Sequence, residues 1–390
     1  MNVPAAEAGT VTRMNSEDKQ AWPDLAGRAL GGSVIYANDE LFAERENLIK
    51  PEEPVFRPHT FGHKGQIMDG WETRRRREPG SDAAIIRLGC GGVARRVVVD
   101  TSWFTGNYPP EVSVEACGAE GYPSPADLAE ARWTTLVPRS PVAGDARNEF
   151  EVEPGQRATH VRLTMFPDGG VARLRVYGEP VPDPRLLPAT IDLAALENGA
   201  VVTGCSNMFY SSPANLLLPG QARVMGDGWE TSRRRDQAND WVEVRLACAG
   251  SVEVVELDTS HFVGNAPGWA TLSGDGGGLL PRTALQPDTR HRFAVPGGPE
   301  TGQVRLDIYP DGGMARLRVL GRPTAAAREA LADQFLRLLP EPQLAGLLRA
   351  GGLPATEADR RAGARAGLDV LDGLPPEVRA LFRLSLSTLR

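Results

Sequence analysis

No stretch of the chain approaches the roughly 20 consecutive apolar residues that a membrane-spanning helix needs. Its first twenty residues, MNVPAAEAGTVTRMNSEDKQ, lack the apolar core of a secretory signal. No membrane partner is expected, and the chain reads as cytoplasmic with a flexible leader over 1–21. A basic excess is missing too. The 43 Lys and Arg against 50 Asp and Glu leave a net charge of −7, which argues against a general nucleic-acid binder. Cysteine is scarce: Cys90, Cys117, Cys205 and Cys248 show no CxxC spacing, so a structural zinc site is not expected. Cys90 and Cys248 close apolar strand runs at equivalent places and read as buried thiols. GxSxG, HExxH and P-loop strings are also absent, which removes support for a serine hydrolase, a zincin or a nucleotide-phosphate enzyme.

What the chain does have is a duplication. With 390 residues, 41% hydrophobic and 24% charged, it is long enough for two ordinary globular cores. MDGWETRRRR (Met68 to Arg77) returns as GDGWETSRRR (Gly226 to Arg235), 158 residues later. At the same offset VVVDTSWFTGN (Val97 to Asn107) matches VELDTSHFVGN (Val255 to Asn265). MFPDGGVARLRVYG (Met165 to Gly178) matches IYPDGGMARLRVLG (Ile308 to Gly321) at an offset of 143, and Asn47 and Pro51 match Asn215 and Pro219 at 168. Changing offsets mean insertions in loops between fixed elements, and units this long are not solenoid repeats. The reading is two homologous domains, 22–178 and 191–321, joined by a stiff Pro-rich linker over 179–190.

Both units carry β signals. AIIRLGC, RRVVVDTS, EVSVEAC, HVRLTMF and VARLRVYG alternate apolar and polar residues between Gly, Pro and Asp clusters, and the second unit repeats the pattern. PDGG before the last strand is turn chemistry, with its Gly able to take positive φ. Many short strands without helical periods predict a mainly β fold of the β-sandwich or jelly-roll kind. After Gly321 the pattern changes. Ala325 to Leu339, Gln343 to Ala350, Glu357 to Leu371 and Pro376 to Leu389 have helical spacing, punctuated by Gly351-Gly352 and Gly373. This segment, 325–390, reads as a helical extension that packs on the sandwiches or on a neighbouring subunit.

The polar motifs carry the candidate chemistry. In DGWETRRRR, guanidinium forks can hold a carboxylate while Glu or Asp handles protons or urea-type N–H groups; a solvated charge run around a packed tryptophan is the plainer alternative. If the segment is extended, Arg74 and Arg76 face one way and Arg75 and Arg77 the other, so only one set lines a pocket. In DTSxFxGN, Asp100 and Asp258 end a strand, and Asn107 and Asn265 can offer donor and acceptor to an amide-like ligand or simply close a turn. The copies differ at Trp103 and His261. Histidine can move protons near neutrality, which points to the second copy as the chemical one. Asp168 and Asp311 of PDGG read as turn residues. His59 and His63, spaced i, i+4 across Phe-Gly, are weak as a metal pair.

The paired GWETRRRR and DTSxFxGN strings, in this order and in two tandem units over about 22–321, resemble the allantoicase (allantoate amidinohydrolase) family. The resemblance implies two tandem jelly-roll domains of the galactose-binding-like class in a homo-oligomer. It also implies a hydrolase that turns allantoate and water into ureidoglycolate and urea in purine breakdown, without a required cofactor. Allantoate is a carboxylate whose α-carbon bears two ureido groups, so its site needs cations, amide partners and a proton donor. On that basis Glu230 and His261 are expected to transfer protons, with Asp258 beside them. Arg234 and Arg235 are expected to hold the carboxylate, and Asn265 and Asp227 to contact substrate. Glu72, Arg75 and Asp100 are their counterparts in the first copy. Two alternatives are a non-catalytic tandem module that captures carboxylates or sugars, and a metal-dependent ureide hydrolase.

Overall fold

The computed structural model describes residues 22–298, 300–364, 367–374 and 379. The leader and nearly all of the helix expected over Pro376 to Leu389 lie outside them. The chain divides into two compact units, one of Trp22–Leu187 with the helices from Arg328 onward, the other Pro188–Ala327.

In each unit one 19-residue strand serves two sheet layers. In the first, Asp82–Asp100 pairs through its opening half with Ser33–Ala37 and Ala158–Phe166, and through its closing half with Arg147–Glu151 and Arg173–Pro180. The register slips between Arg87 and Gly92, where the strand passes from one layer to the other. Sequence reading breaks this element into AIIRLGC and RRVVVDTS because Gly91-Gly92 interrupts the alternation; the backbone runs on through the bend. Glu111–Cys117 and Thr134–Pro141 complete the sheet beyond Ala158–Phe166. The second unit repeats the plan around Asp240–Asp258, which pairs first with Val201–Cys205 and Glu300–Tyr309, then with Arg290–Ala294 and Arg316–Pro323. This is a two-layer antiparallel sandwich in each unit, as the alternating pattern requires.

Alternation fills the space between the layers. Val112, Val114 and Ala116 of Glu111–Cys117 are buried, while Glu111, Ser113 and Glu115 are only half-buried. The first core gathers Leu48, Ile49, Trp71, Ile86, Val97, Val99, Leu163, Met165, Leu174 and Val176. At about 25 cal/mol per Å2 of apolar surface removed from water, such a cluster is the main stabilising term. The tail does not form a separate body. Helices Ala325–Leu338, Glu341–Ala350 and Ala355–Ala364 bury Phe335, Leu336, Leu339, Leu344 and Leu348 together with Val93 and Val181 of the first unit. The Arg157 amide donates to the Leu338 carbonyl at 2.7 Å, and Gln334 Nε2 donates to Glu179 Oε1 at 2.8 Å. The extension is therefore a cap on the first sandwich. It also takes in part of the segment read as a linker, since Val181 is buried under it.

None of the four cysteines forms a disulfide; Cys117 and Cys205 are buried, whereas Cys90 and Cys248 are half-buried. Burial pushes the Cys117 thiol up to about 12. Cross-strand from it lies His160, fully buried, with Nδ1 2.8 Å from Thr159 Oγ1 and Nε2 without a hydrogen-bond partner among the described residues. Burial, and then the Arg87 charge, lower the His160 pKa from 6.5 to about 4. A lowered histidine costs stability as pH falls from its unfolded value towards its folded one, because the unfolded chain takes up the proton first. Between pH 6.5 and 4 the fold should lose up to about 3 kcal/mol through this residue. His160→Gln should flatten that acid slope in urea-unfolding midpoints; an unchanged slope would assign the acid loss to other groups.

Among the described residues no helix is long and apolar enough to cross a membrane.

Candidate active site

Three sequence motifs meet in each unit, and a phenylalanine is their keystone. The two-residue strand Trp71–Glu72 pairs with Gly170–Val171 of the PDGG segment, as Trp229–Glu230 pairs with Gly313–Met314. Phe104 and Phe262, from DTSxFxGN, are fully buried against this pair. A Cβ on Gly170 would sit 2.0 Å from Phe104, and one on Gly313 1.9 Å from Phe262. The glycines are thus required by close approach. The backbone joins the same motifs: the Gly170 amide donates to the Asn107 carbonyl at 2.7 Å, and the Gly313 amide to Asn265 at 2.9 Å. Trp71 and Trp229 are core residues whose Nε1 atoms donate to the Asp39 and Asn207 carbonyls, both at 2.8 Å.

This frame brings one carboxylate and one amide together in each unit. Asn107 Nδ2 donates to Glu72 Oε1, and Asn265 Nδ2 to Glu230 Oε1, each at 2.7 Å. Burial raises the Glu72 pKa above its usual 4.5, with the Asn107 hydrogen bond pulling the other way. A carboxyl whose pKa is raised holds its proton to a higher pH than a solvated one. Hollows of about 580 and 710 Å3 flank the first-copy motif, one taking in Lys50, Asp69 and Arg173, the other Asp39, Lys64 and Arg74. Neither is lined by Glu72 or Asn107.

Other expected site residues have structural employment. His261 and Trp103 share a φ of 71°. Both backbone amides donate to an aspartate, Asp288 at 2.7 Å and Asp145 at 2.8 Å. His261 Nε2 lies 2.9 Å from the Ala222 carbonyl, as Trp103 Nε1 does from Pro54. The histidine therefore does what the tryptophan does, pinning one loop to another, and the contrast between the copies does not single out the second. Asp258 is buried and accepts from the Ser260 amide at 2.8 Å and its hydroxyl at 2.6 Å; Asp100 accepts from the Ser102 amide at 2.8 Å. Both shape the turn that carries the asparagine. Asp227 is taken by Arg223, whose Nε and backbone amide reach it at 2.8 and 2.9 Å, and this pairing holds its pKa below the usual carboxylate range. Its counterpart Asp69 accepts instead from the buried Arg173 at 2.8 Å.

The arginines divide. Arg234 Nη1 donates to buried Asp240 at 2.8 Å, its Nε and Nη2 to Asp236, both at 2.9 Å, and its amide to Asp311 at 2.8 Å. Arg76 does the same with Asp82 and Asp168, at 2.6 and 2.8 Å, so these PDGG aspartates clamp the arginine run. Arg235 and Arg75 are exposed. Sequence reading missed the packing of Phe104 and Phe262 on the glycines. The shared Phe and the shared Gly-Gly were its only trace.

His59 sits at φ 56° ahead of a small hairpin, Phe61–Gly62 with Gly65–Gln66, and not on a helix with His63. Among the described residues no group of three or more His, Cys, Asp and Glu is gathered as a metal site would need.

A family model for the allantoicase repeat matches residues 23–181, 191–276 and 273–324. A protein named probable allantoicase from Nocardia farcinica is 62% identical over 310 residues, covering 77% of this chain and 94% of that one. One from Streptomyces coelicolor is 51% identical over 337 residues, covering 81% and 90%. The crystal structure of allantoicase from Saccharomyces cerevisiae superposes with a TM-score of 0.69 at 37% identity, over 78% of this chain and 94% of that one.

Proposed function

Because this chain belongs to the allantoicase family, we infer that it hydrolyses allantoate to ureidoglycolate and urea. The reaction breaks a bond between a tetrahedral carbon and a ureido nitrogen, so no serine or cysteine nucleophile is required. The carboxyl of the Glu–Asn pair protonates the departing nitrogen, and the C–N electron pair leaves with urea. The remaining ureido nitrogen supplies its lone pair to form an imine-like C=N. Water adds to that carbon and returns a proton to the carboxylate, which restores the acid. Asn107 and Asn265 fix the carboxyl and present their remaining amide positions to a ureido group. Asp100 and Asp258 hold the turns that aim them.

The observation that carries this assignment is the Asn107–Glu72 pair, with the carboxyl partly desolvated and its pKa raised by that burial. Glu230 with Asn265 repeats the contact, so each unit offers a complete pair. The first copy stands at least level with the second. His261 supports the loop beside Asn265 through Ala222 and is not assigned a proton. A cytoplasmic homo-oligomer completes the reading.

The deciding experiment incubates the purified chain with allantoate and measures urea across a size-exclusion profile. Urea release is expected to follow a species heavier than one chain. A folded chain that binds allantoate without releasing urea would sink the catalytic reading in favour of a carboxylate-binding module.

A further inference from the structure

The arginine run alternates between anchored and unanchored members, and the two units agree on which is which. Arg76 and Arg234 are fixed at both ends, by an aspartate on the backbone amide and another on the guanidinium. Arg74 is fixed likewise to Asp39, through its amide at 2.9 Å and Nε at 2.5 Å. In the second unit Ser232 replaces Arg74 and Asn207 replaces Asp39, and the pair is still joined by an amide-to-Oδ1 bond at 3.0 Å and an Nδ2-to-hydroxyl bond at 2.8 Å. Anchoring every second residue leaves the others to project away. Arg75 and Arg77, with Arg233 and Arg235, are exposed and engage no carboxylate among the described residues. All four sit in a chain with more acids than bases, where counter-charges are plentiful.

Resting on the proposed function, we propose that Arg75 with Arg77, and Arg233 with Arg235, receive the carboxylate of the ureide substrate, while Arg76 and Arg234 are framework. Glu72 and Arg75 are three positions apart, as are Glu230 and Arg233, so their Cα atoms lie within roughly 11 Å of each other. A guanidinium without a partner can offer its two-pronged face to a carboxylate, whereas one already forked onto Asp236 and Asp240 would have to give up those bonds first. This moves the expected role of Arg234 to Arg233 and adds Arg77, neither of which the motif alone singles out.

The test uses the full chain with Arg75, Arg77, Arg233 and Arg235 changed to Gln, and compares it with Arg234→Gln. The fourfold variant should keep the wild-type melting temperature and raise KM for allantoate roughly ten- to a hundredfold, the worth of one or two charge-assisted hydrogen bonds. Lysine at the same four positions should recover part of the loss. Arg234→Gln should act mainly on the melting temperature. Binding of N-carbamoylglycine, a ureido acid with a single ureido group, is measured by calorimetry alongside. Loss of that binding in the fourfold variant supports the arginine assignment even if the wild type releases no urea, an outcome that would sink only the catalytic reading. A KM and a calorimetric affinity both within twofold of wild type would overturn the assignment.

Discussion

Glu72→Gln and Glu230→Gln together lower kcat for allantoate by roughly 10²- to 10⁴-fold, the usual worth of a positioned acid–base group, and leave the fold intact. Glutamine preserves the shape of the side chain and an acceptor for Asn107 Nδ2, but it cannot deliver a proton. The pH profile carries the distinguishing sign. Burial raises the Glu72 pKa, so the acid form persists above the ordinary carboxylate range and activity that depends on it declines as pH rises through the raised value. The same shift bears on stability. A carboxyl with a raised folded pKa favours the fold below its unfolded value and loses that contribution as pH rises through the folded one. At neutral pH Glu72→Gln should therefore melt no lower than wild type. Glu230→Gln, made separately, reports the share of the second unit. If both single variants and the double variant, all folded, stay within twofold of wild-type kcat, the carboxyl is not the acid.

A single added methyl group is expected to cost the fold heavily. Gly313→Ala would place a Cβ 1.9 Å from the ring of Phe262, which is itself fully buried. The neighbouring atoms have no room to yield, because Gly313 is paired with Glu230 on one side and bonded to the Asn265 carbonyl on the other. Overpacking of this kind costs about 3 kcal/mol. Phe262→Ala should cost about 3–5 kcal/mol through the cavity it opens. The two combined should cost less than their sum, since the smaller side chain accepts the new methyl; this coupling, read from urea unfolding of the four proteins, is the check. Strict additivity would mean that the ring and the glycine do not share the space assigned to them. Gly170→Ala with Phe104 repeats the experiment in the first unit, at 2.0 Å.

Much of this architecture is visible in the bare chain because it is written twice. Equal spacing of GWET and DTSxFxGN in two copies locates both units, and strict alternation in EVSVEAC locates a strand with one buried face. Local pattern cannot report what depends on distant partners. The break at Gly91-Gly92 divides one strand into two apparent ones, since the continuity lies in pairing with segments 47 to 88 residues away. The division of the arginines is invisible for the same reason. Extended parity does separate Arg75 and Arg77 from Arg74 and Arg76, but which set is anchored depends on Asp39, Asp82 and Asp168, brought in from both sides of the motif. At position 261 the side-chain chemistry of histidine suggests proton transfer, while the surroundings give it a structural role as well: the same left-handed turn, aspartate and carbonyl serve a tryptophan in the other copy.

The helical cap gives the first sandwich an unusual relation to the order in which the chain is made. Val181 shares an apolar cluster with Phe335, 154 positions further along the chain, and those positions include the whole of the second sandwich. At 5 to 20 residues per second the ribosome needs roughly 8 to 30 s to deliver them. Throughout that interval the first sandwich carries an apolar flank around Val93 and Val181 that only the last part of the chain can cover. The repeat synthesised first is thus the one completed last, and the nascent chain must keep that flank from other partners until its own helices arrive.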